Sequence, residues 1–514
     1  MTDSTATDFH AIGRKFGTPE GHAQILVIGA GEAGLAAALT AARAGASVTL
    51  VDENPVSSGL IGMDVPLLFG NRWTAAVQNQ GRMLEQILSA SPGIEEAFEL
   101  GVDVKLGTIA WGAFAAGPNL RALPAPVAGL ADETRSWLMG FDRLIIAAGA
   151  RDLVYAFQGF ETPGVVGALG LSALVQRYNA FNGKRLVILG TGSLAVATAT
   201  MALDAGLDVA ALIEVRAEPQ SDVAALVARG VEIVTGHTIL EAEGNAEGVT
   251  AALLAPTSEG APRRIACDTI CLAIGAVPVI DLAEVAGARI TRKAGAFLAS
   301  ALPEGVFVAG DCAGLGRDAA ASGRAAAEAA LASLGFTVAP SAEPEAALPQ
   351  PLDTDAYRMA WMEALMETGG LDVMACSCEE VTRRDLLGVQ PPRYLDSKIE
   401  GRSLATLAED GPVSQDQIKR LTRACMGPCQ ARRCREQVAM IMALGTDRPL
   451  ASVSLAGYRA PVRPLPLGLL GDCRETEEMA AGWNVWFGIR TQWIPYDDIG
   501  TEREIERAGR MAHF

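Results

Sequence analysis

The sequence is poor in histidine and contains no long apolar run. Only four histidines occur among the 514 residues, and His10, His22 and His513 lie at or near the ends of the chain. A mechanism that depends on a histidine base or on histidine metal ligands is therefore not expected. No apolar run reaches the roughly 18 residues that a membrane-spanning helix requires, and residues 1–20 form a loose leader without the hydrophobic core of a signal peptide. These absences predict a cytoplasmic protein with no membrane span.

Positive charge is also scarce. The 42 lysines and arginines are outnumbered by 60 aspartates and glutamates, and the net charge of −18 argues against nucleic acid or an anionic membrane as the main partner. Half of the residues are apolar and a fifth are charged, as expected of a compact globular chain of about three domains. Nine cysteines occur, but five of them fall between Cys376 and Cys434. That crowding suits a metal site in a reducing compartment better than disulfides.

A first nucleotide-binding motif lies near the N-terminus. An apolar strand that starts at Gln24 leads into a glycine turn and an alanine-rich helix over residues 35–44. The turn consists of Gly29, Ala30, Gly31, Glu32, Ala33 and Gly34. In this GxGxxG fingerprint the first glycine allows the tight turn, the second the close approach of a pyrophosphate, and the third close helix–strand packing, while the helix N-terminus faces the phosphates. The next strand, residues 47–51, ends at Asp52, which is predicted to bind a ribose hydroxyl, with Glu53 as the alternative.

A second motif of the same type follows in the middle of the chain. Gly190, Gly192 and Ala195 form a GxGxxA turn between a strand at residues 186–189 and a helix at residues 194–205. A further strand ends at Glu214, which favours NAD over NADP, although Arg216 leaves a 2′-phosphate possible. This domain could bind NAD(P) or another adenine nucleotide, or it could keep the fold without a ligand.

Four cysteines in two close pairs, Cys376 with Cys378 and Cys429 with Cys434, predict a metal site beyond a proline- and alanine-rich linker at residues 336–354. Four thiolates are what a [2Fe-2S] cluster requires. Structural zinc and buried non-ligand thiols are the alternatives, but the short Cys-x-Cys spacing and the absence of a nearby histidine favour the cluster. Basic residues that could tune its potential crowd the second pair; they are Lys419, Arg420, Arg423, Arg432, Arg433 and Arg435.

Three further segments carry a resemblance to a known family. Residues 306–311 form a strand that ends in Gly310 and Asp311, and residues 145–150, with Ala148 and Gly149, are similar in type to residues 271–276. With the first glycine turn, these segments resemble the glutathione-reductase-like flavoproteins with two dinucleotide-binding domains, over residues 22–335. The resemblance implies an α/β fold of two Rossmann-like domains, with FAD in the first and Asp311 on its ribityl chain.

Two departures from that family stand out. Its disulfide reductases carry a redox-active CxxC or CxxxxC beside the flavin, and neither pattern occurs in the first 335 residues. Residues 57–61 also differ from the Gly-Gly-Gln that many relatives have near the isoalloxazine ring. A disulfide reductase is therefore not expected.

The residues around the cysteines, Cys376-Ser-Cys378-Glu-Glu-Val-Thr and residues 422–434, resemble the bacterioferritin-associated-ferredoxin-like (BFD-like) [2Fe-2S] domain at the C-terminus of certain flavoprotein subunits. The resemblance implies the ligands Cys376, Cys378, Cys429 and Cys434. Cys425 stands where that pattern has glycine, so it is excluded as a ligand. The expected small C-terminal BFD-like domain completes the fold class.

The combination resembles the larger FAD subunits of opine oxidases, hydrogen cyanide synthase and heteromeric proline or hydroxyproline dehydrogenases, with the sarcosine oxidase α chain more distant. The resemblance implies an electron-transferring subunit of a hetero-oligomer. Its partners would be a D-amino-acid-oxidase-like flavoprotein, which oxidises a C–N bond, and a small plant-type [2Fe-2S] subunit supplied as another chain. The alternative is a stand-alone NAD(P)H-dependent flavin oxidoreductase. No catalytic residue is predicted.

The expected organisation has seven parts. Residues 1–20 are the leader, 21–165 the first part of the FAD domain, 166–280 the second nucleotide-binding domain, 281–335 the second part of the FAD domain, 336–354 the linker, 355–450 the BFD-like domain, and 451–514 an extension that packs on other domains or a partner.

Overall fold

The computed structural model describes residues 19–56, 67–115, 126–293, 295–337, 354–471, 496–498 and 500–503. Most of the predicted leader and linker, residues 57–61, and the three C-terminal tryptophans Trp483, Trp486 and Trp493 lie outside these ranges.

The described chain alternates strands and helices up to residue 333 and is mainly helical after residue 354. The strands are β1 (Gly21–Ile28), β2 (Val48–Val51), β3 (Asp103–Lys105), β4 (Ile109–Phe114), β5 (Val127–Ala131), β6 (Ser136–Ile146), β7 (Ala150–Asp152), β8 (Val165–Gly167), β9 (Arg185–Leu189), β10 (Asp208–Ile213), β11 (Glu232–Val234), β12 (His237–Asn245), β13 (Gly248–Pro256), β14 (Arg263–Ala266), β15 (Thr269–Leu272), β16 (Ala276–Pro278), β17 (Arg289–Lys293), β18 (Ala296–Ser300), β19 (Val306–Val308), β20 (Met374–Cys376) and β21 (Val381–Thr382). The helices are α1 (Glu32–Arg43), α2 (Gln80–Ala90), α3 (Gly93–Glu99), α4 (Ala168–Ser172), α5 (Ser193–Asp204), α6 (Ala224–Ala228), α7 (Asp281–Val285), α8 (Ala319–Ser333), α9 (Thr354–Gly369), α10 (Arg383–Leu387), α11 (Leu404–Asp410), α12 (Gln415–Thr422), α13 (Arg435–Gly445) and α14 (Leu467–Gly471).

The first sheet has seven strands in the order β3-β2-β1-β6-β5-β4, with β19 added beside β6. Strands β3, β2, β1, β6 and β19 run parallel, whereas β5 and β4 continue antiparallel. The alanine-rich helices α1 and α8 cover one face with small side chains, so they approach each other and the sheet closely. Because β19 and α8 come from residues beyond 300, this layer joins two distant parts of the chain.

The second sheet is parallel, in the order β11-β10-β9-β15-β8, and carries the second glycine turn between β9 and α5. The antiparallel sheet β12-β13-β14 packs beside it. Residues 145–150 and 271–276, called the hinge segments below, lead into β7 and β16, and these two strands form a two-stranded antiparallel ladder. This architecture confirms the predicted mixed α/β, Rossmann-like fold.

The C-terminal helices share one core with the second sheet. Trp361 and Leu365 of α9 pack in the same buried cluster as Val187 of β9 and Met440 of α13. Residues 376–434, called the cysteine segment below, therefore pack against the second nucleotide-binding fold and are not separated from it. No helix in the described ranges is both long and apolar enough to cross a membrane.

Candidate functional site

The first glycine turn shows a different constraint at each glycine. Gly29 has φ +106°, and a Cβ at this position would lie 2.2 Å from the carbonyl oxygen of Ala147. A Cβ at Gly34 would lie 1.7 Å from the carbonyl oxygen of Gly29, so α1 can approach its strand only without a side chain there. A Cβ at Gly31, by contrast, would meet no atom within 4 Å. Protein packing therefore requires two of the glycines, and the third faces open space where a pyrophosphate is expected.

The two predicted ribose-binding acids lie beside this turn and are already hydrogen-bonded. Asp52 accepts a hydrogen bond from the Ala30 N–H (2.5 Å) and two from the backbone and side chain of Asn54 (both 2.8 Å). Glu53 forms an ion pair with Arg463 (2.8 Å). Both carboxylates line the same cavity, so the structure leaves both Asp52 and the alternative Glu53 as candidates for binding a ribose hydroxyl.

The second part of the chain completes the site from the other side. A Cβ at Gly323 of α8 would lie 1.9 Å from the carbonyl oxygen of Ala33, and one at Gly310 would lie 2.8 Å from the Ala33 methyl carbon. These contacts bring the Gly310–Ala313 turn against the start of α1, where Glu32 is exposed. Burial raises the pKa of Asp311, and a hydrogen bond from the Gly316 N–H partly offsets this effect.

A cavity of about 510 Å³ connects these features, a volume typical of a cofactor site. Its wall includes Gly29, Gly31, Asp52, Glu53, Ala148, Gly149, Asp281, Asp311, Val462 and Arg463. The N-terminus of α1, which can bind a pyrophosphate, and the carboxylates of Asp52, Glu53 and Asp311 match the donor and acceptor groups that FAD requires.

Most of the lining residues were not identified as site residues from the sequence, among them Asp281, Val462 and Arg463. Asp281 begins α7, and Val462 and Arg463 belong to the proline-rich segment after α13. Val462 is fixed there by a hydrogen bond from its N–H to the Trp111 carbonyl (2.7 Å). Nothing in the sequence of this proline-rich segment indicated a position at the cavity.

The second glycine turn has the predicted backbone but different surroundings. Gly190 has φ +110°, and Ala195 is fully buried where helix α5 packs on its sheet. The Thr191 N–H donates to the hydroxyl oxygen of Tyr357 (3.1 Å), and this hydroxyl donates to Glu214 Oε2 (2.9 Å). Burial and the Glu214 carboxylate raise the pKa of Tyr357, so the phenol keeps its proton. Tyr357 carried no sequence signal for this position.

The five cysteines between residues 376 and 434 lie close together. Cys376, Cys425, Cys429 and Cys434 are buried and Cys378 is exposed. Hydrogen bonds join Cys376 to Cys434 and Cys378 to Cys429, so each of these contacts links the two predicted pairs. The hydrogen bonds from Cys378 and Cys434 lower the pKa of Cys429.

Such a set fits a thiolate-ligated binuclear cluster, in which each iron takes two thiolates and the four sulfurs need not converge on one point. Within the described ranges, no three His, Cys, Asp or Glu side chains form a group that could hold a metal ion. Cys425, excluded as a ligand, accepts a contact from the Cys434 thiol at 3.6 Å. The BFD-like [2Fe-2S] assignment itself stays a prediction.

Buried ion pairs join the cysteine segment to the cavity wall. Arg432 pairs with Asp281 (3.2 Å), and Arg435 pairs with Glu284 (3.2 Å). Arg151, next to the first hinge, pairs with Glu436 (2.6 Å). Burial opposes the charge on Arg151, but the Glu436 carboxylate raises the pKa of the guanidinium above its ordinary value.

The predicted positive field around the cysteines is therefore partly neutralised. Arg432 and Arg435 have the partners just named, and Arg423 forms an ion pair with Glu379 (2.6 Å). The buried arginines connect the two parts of the molecule more than they add net charge near the sulfurs.

Comparison with known proteins identifies the family. The model of the pyridine nucleotide-disulphide oxidoreductases matches residues 23–332, more than half of the chain. The chain belongs to this family. A second model, the sarcosine oxidase A3 domain, matches residues 395–473. The predicted resemblance is confirmed, and the family assignment makes the chain a flavin-dependent oxidoreductase, with FAD as the cofactor that the family implies.

Several named relatives of this oxidoreductase are similar over most of its length. An opine oxidase subunit of Rhizobium meliloti (strain 1021) is 28% identical, over 88% of this chain and 98% of the relative. The HcnB subunit of the hydrogen cyanide synthase of Pseudomonas protegens is 26% identical, over 86% of this chain and 96% of the relative. The alpha subunit of the sarcosine oxidase of Corynebacterium sp. (strain P-1) is 26% identical, over 87% of this chain and 45% of the relative.

Among solved structures, L-proline dehydrogenase from P. horikoshii has the same fold. It aligns with a TM-score of 0.58 and 18% identity, over 88% of this chain and 81% of that chain.

Proposed function

We propose that this chain is the FAD/[2Fe-2S] electron-transferring subunit of a heteromeric dehydrogenase or oxidase that acts on the C–N bond of an amine, amino acid or opine. The substrate is oxidised at a flavin on a D-amino-acid-oxidase-like partner, and a small plant-type [2Fe-2S] subunit completes the complex. When bound, FAD accepts electrons in pairs and releases them singly, which matches a cluster that carries one electron at a time.

The observation that carries the proposal is a short chain of contacts between the cavity and the cysteines. Asp281 lines the FAD cavity and accepts a hydrogen bond from Arg432 Nε (3.2 Å). Arg432 Nη1 in turn donates to the backbone carbonyl of Cys429 (3.0 Å). Two hydrogen bonds and one side chain thus connect the wall of the cavity with a predicted cluster ligand.

These contacts are also well shielded from water. Asp281 is 4% exposed and Arg432 is 2% exposed. A buried hydrogen-bonded pair holds its geometry more firmly than an exposed one, because each partner would otherwise be left as an unpaired charge in a poorly solvated place. Such rigidity suits a relay, which needs a fixed distance between its two redox groups.

The thiols differ in exposure in a way that gives the relay an outer end. Cys378 is exposed, whereas Cys376, Cys429 and Cys434 are buried. These four residues would hold the cluster, with Cys378 as the ligand that is exposed to solvent. A cluster at this position would supply one-electron transfer near the protein surface, where a partner chain could bind.

The names of the relatives support the reaction class. Opines and sarcosine are both C–N compounds, and the opine oxidase, sarcosine oxidase and hydrogen cyanide synthase relatives are each named as subunits.

The test is to purify the chain alone and together with the partner chains from its native source, to record visible spectra, and to record EPR spectra after reduction with dithionite. The chain alone should show both flavin and iron–sulfur signals and stay oxidised with amines or amino acids. The complex should be reduced by its substrate. Flavin bleaching by an amino acid in the isolated chain would refute the relay role, and rapid bleaching by NADH or NADPH would favour a stand-alone reductase.

A further inference from the structure

The second glycine turn is filled by a side chain of the protein itself. A dinucleotide at such a turn uses two groups of the protein: the loop N–H groups, which donate to phosphate oxygens, and the acid after the next strand, which accepts from a ribose hydroxyl. Here the Tyr357 hydroxyl takes both positions. Its oxygen accepts from the Thr191 N–H (3.1 Å), as a phosphate oxygen would, and its proton goes to Glu214 (2.9 Å), as a ribose proton would.

The space next to the turn is also taken. The atom nearest to a Cβ built on Gly192 is Tyr357 Cε1, at 4.0 Å. Gly192 is the residue whose missing side chain normally lets a pyrophosphate approach. At the corresponding Gly31 of the first turn no atom lies within 4 Å, and the glycine faces the FAD cavity. One turn is open and the other holds a phenol ring.

The loop after β10 closes the site from the opposite side. Glu214 and Thr191 are fully buried, and the Thr191 hydroxyl donates to Glu214. The Gln220 N–H donates to the Thr191 hydroxyl (2.8 Å), and the Arg216 N–H donates to Glu214 Oε1 (3.0 Å). The Arg216 guanidinium lies 5.2 Å from the centre of the Tyr357 ring, within the range of a cation–π contact.

Helix α9 is held firmly where it presents Tyr357. Asp355 pairs with Arg292, and Arg358 donates to the carbonyls of Gly295 (2.9 Å) and Ala276 (2.7 Å). One turn further along, Trp361 is fully buried in the core that α9 shares with α13. For the Tyr357 side chain to leave the turn, the first half of α9 would therefore have to shift and break these contacts.

We infer that the second glycine turn is an internal docking site for the Tyr357 phenol, which excludes NAD(P) and other adenine nucleotides and anchors helix α9, and with it the cysteine segment, to the second Rossmann-like sheet. The ligand of this site is a side chain of the same protein. The inference stands apart from the proposed function, since it concerns what the second site holds and not where the substrate is oxidised.

The first test is nucleotide content and binding in the FAD-loaded full-length protein. Denatured wild-type protein should release FAD but no NAD, NADP, ADP or ATP by mass spectrometry, and titration with NADH, NADPH or ATP up to about 1 mM should show no binding. Tyr357→Ala should gain at least tenfold in affinity for one of them. A nucleotide that copurifies with the wild type, or a Tyr357→Ala variant that binds no better, would overturn the inference.

The second test keeps the ring and removes only the hydroxyl. In Tyr357→Phe the Thr191 N–H loses its acceptor, so its hydrogen exchange should become about tenfold faster, as expected for one lost hydrogen bond. Tyr155→Phe is the matched control, because Tyr155 is also buried but its hydroxyl donates to the Arg358 carbonyl (3.1 Å) instead. If the hydrogen-exchange rate of the Thr191 N–H were unchanged in Tyr357→Phe, or were increased equally in Tyr155→Phe, the Tyr357 hydroxyl would not be what holds the turn.

Discussion

The buried pair of Arg432 and Asp281 offers a quantitative test of how the cysteine segment is attached to the FAD cavity. The two residues are 2% and 4% exposed and interact at 3.2 Å. In Arg432→Gln the Asp281 carboxylate would be left without its cation in a place where water reaches it poorly. Removal of one partner from a buried pair costs about 3–5 kcal/mol, much of it the penalty of the unpaired charge. Asp281→Asn should cost a similar amount, because it leaves the Arg432 guanidinium uncompensated.

The double variant separates this pairing from other losses. With both charges removed, neither partner is left unpaired, so the free energy of unfolding should fall by clearly less than the sum of the two single changes. For residues in direct contact the coupling energy lies between about 0.5 and 3 kcal/mol, and burial places this pair toward the upper end. Unfolding in guanidinium chloride at saturating FAD, followed by flavin fluorescence and circular dichroism, measures the three differences.

An exposed pair provides the control for this cycle. Arg264 and Glu243 interact at 2.6 Å, but their side chains are 54% and 30% exposed. Such surface pairs contribute only about 0.2–1 kcal/mol. If the Arg432–Asp281 coupling energy were no larger than that of this control, the buried pair would not be what fastens the cysteine segment to the cavity wall.

Three other outcomes are expected. Burial raises the pKa of Asp152 to about 6 from its ordinary value of 3.8, so the folded state binds the proton more tightly than the unfolded state does. The protonated Asp152 therefore contributes about 3 kcal/mol to the free energy of unfolding below pH 3.8, and this contribution is lost as the pH rises through 6. Asp152→Asn should remove that step from the pH profile of unfolding, and an unchanged step would assign it to another group. Gly323→Ala should destabilise the apoprotein by about 1–3 kcal/mol in thermal melts, since its Cβ would lie 1.9 Å from the Ala33 carbonyl oxygen. Gly31→Ala should leave the apoprotein stable and weaken FAD binding in a fluorescence titration. A larger loss of apoprotein stability in Gly31→Ala than in Gly323→Ala would contradict the packing argument. Cys378→Ser should abolish the iron–sulfur spectrum while flavin is retained, and Cys425→Ser should keep the iron content of the wild type. Iron loss in Cys425→Ser alone would show that Cys425, and not Cys378, is the ligand.

The sequence predicted the local structure of both glycine turns because that structure depends on neighbouring residues. Gly29 and Gly190 both need positive φ, and small residues after each turn allow a helix to pack on its strand. The strand–turn–helix pattern is therefore readable within about 30 residues. The mixed α/β, Rossmann-like fold follows from the same pattern.

The wall of the FAD cavity could be predicted only in part. Gly31 and Asp52 come from the local motif, but Asp281, Val462 and Arg463 reach the cavity through tertiary packing. Arginine is rarely buried, so the burial of Arg463 could not be expected from its residue type. Nothing in the sequence around Arg463 indicates that it forms an ion pair with Glu53. Long-range ion pairs of this kind leave no periodic trace in a single sequence.

The two glycine turns show most clearly where local reasoning stops. Gly31 has φ −70° and ψ −178°, and Gly192 has φ −71° and ψ 177°, so the two backbones differ by only a few degrees at the position that faces the ligand. The difference between an open turn and a filled one arises from Tyr357, which lies far along the chain on a helix that begins after residues 338–353. A motif specifies the shape of a nucleotide-binding turn, but what occupies the turn depends on which other part of the protein can reach it. For this protein the consequence is that two near-identical fingerprints lead to different expectations: we expect the first to bind the flavin, and we infer that the second binds Tyr357 of helix α9.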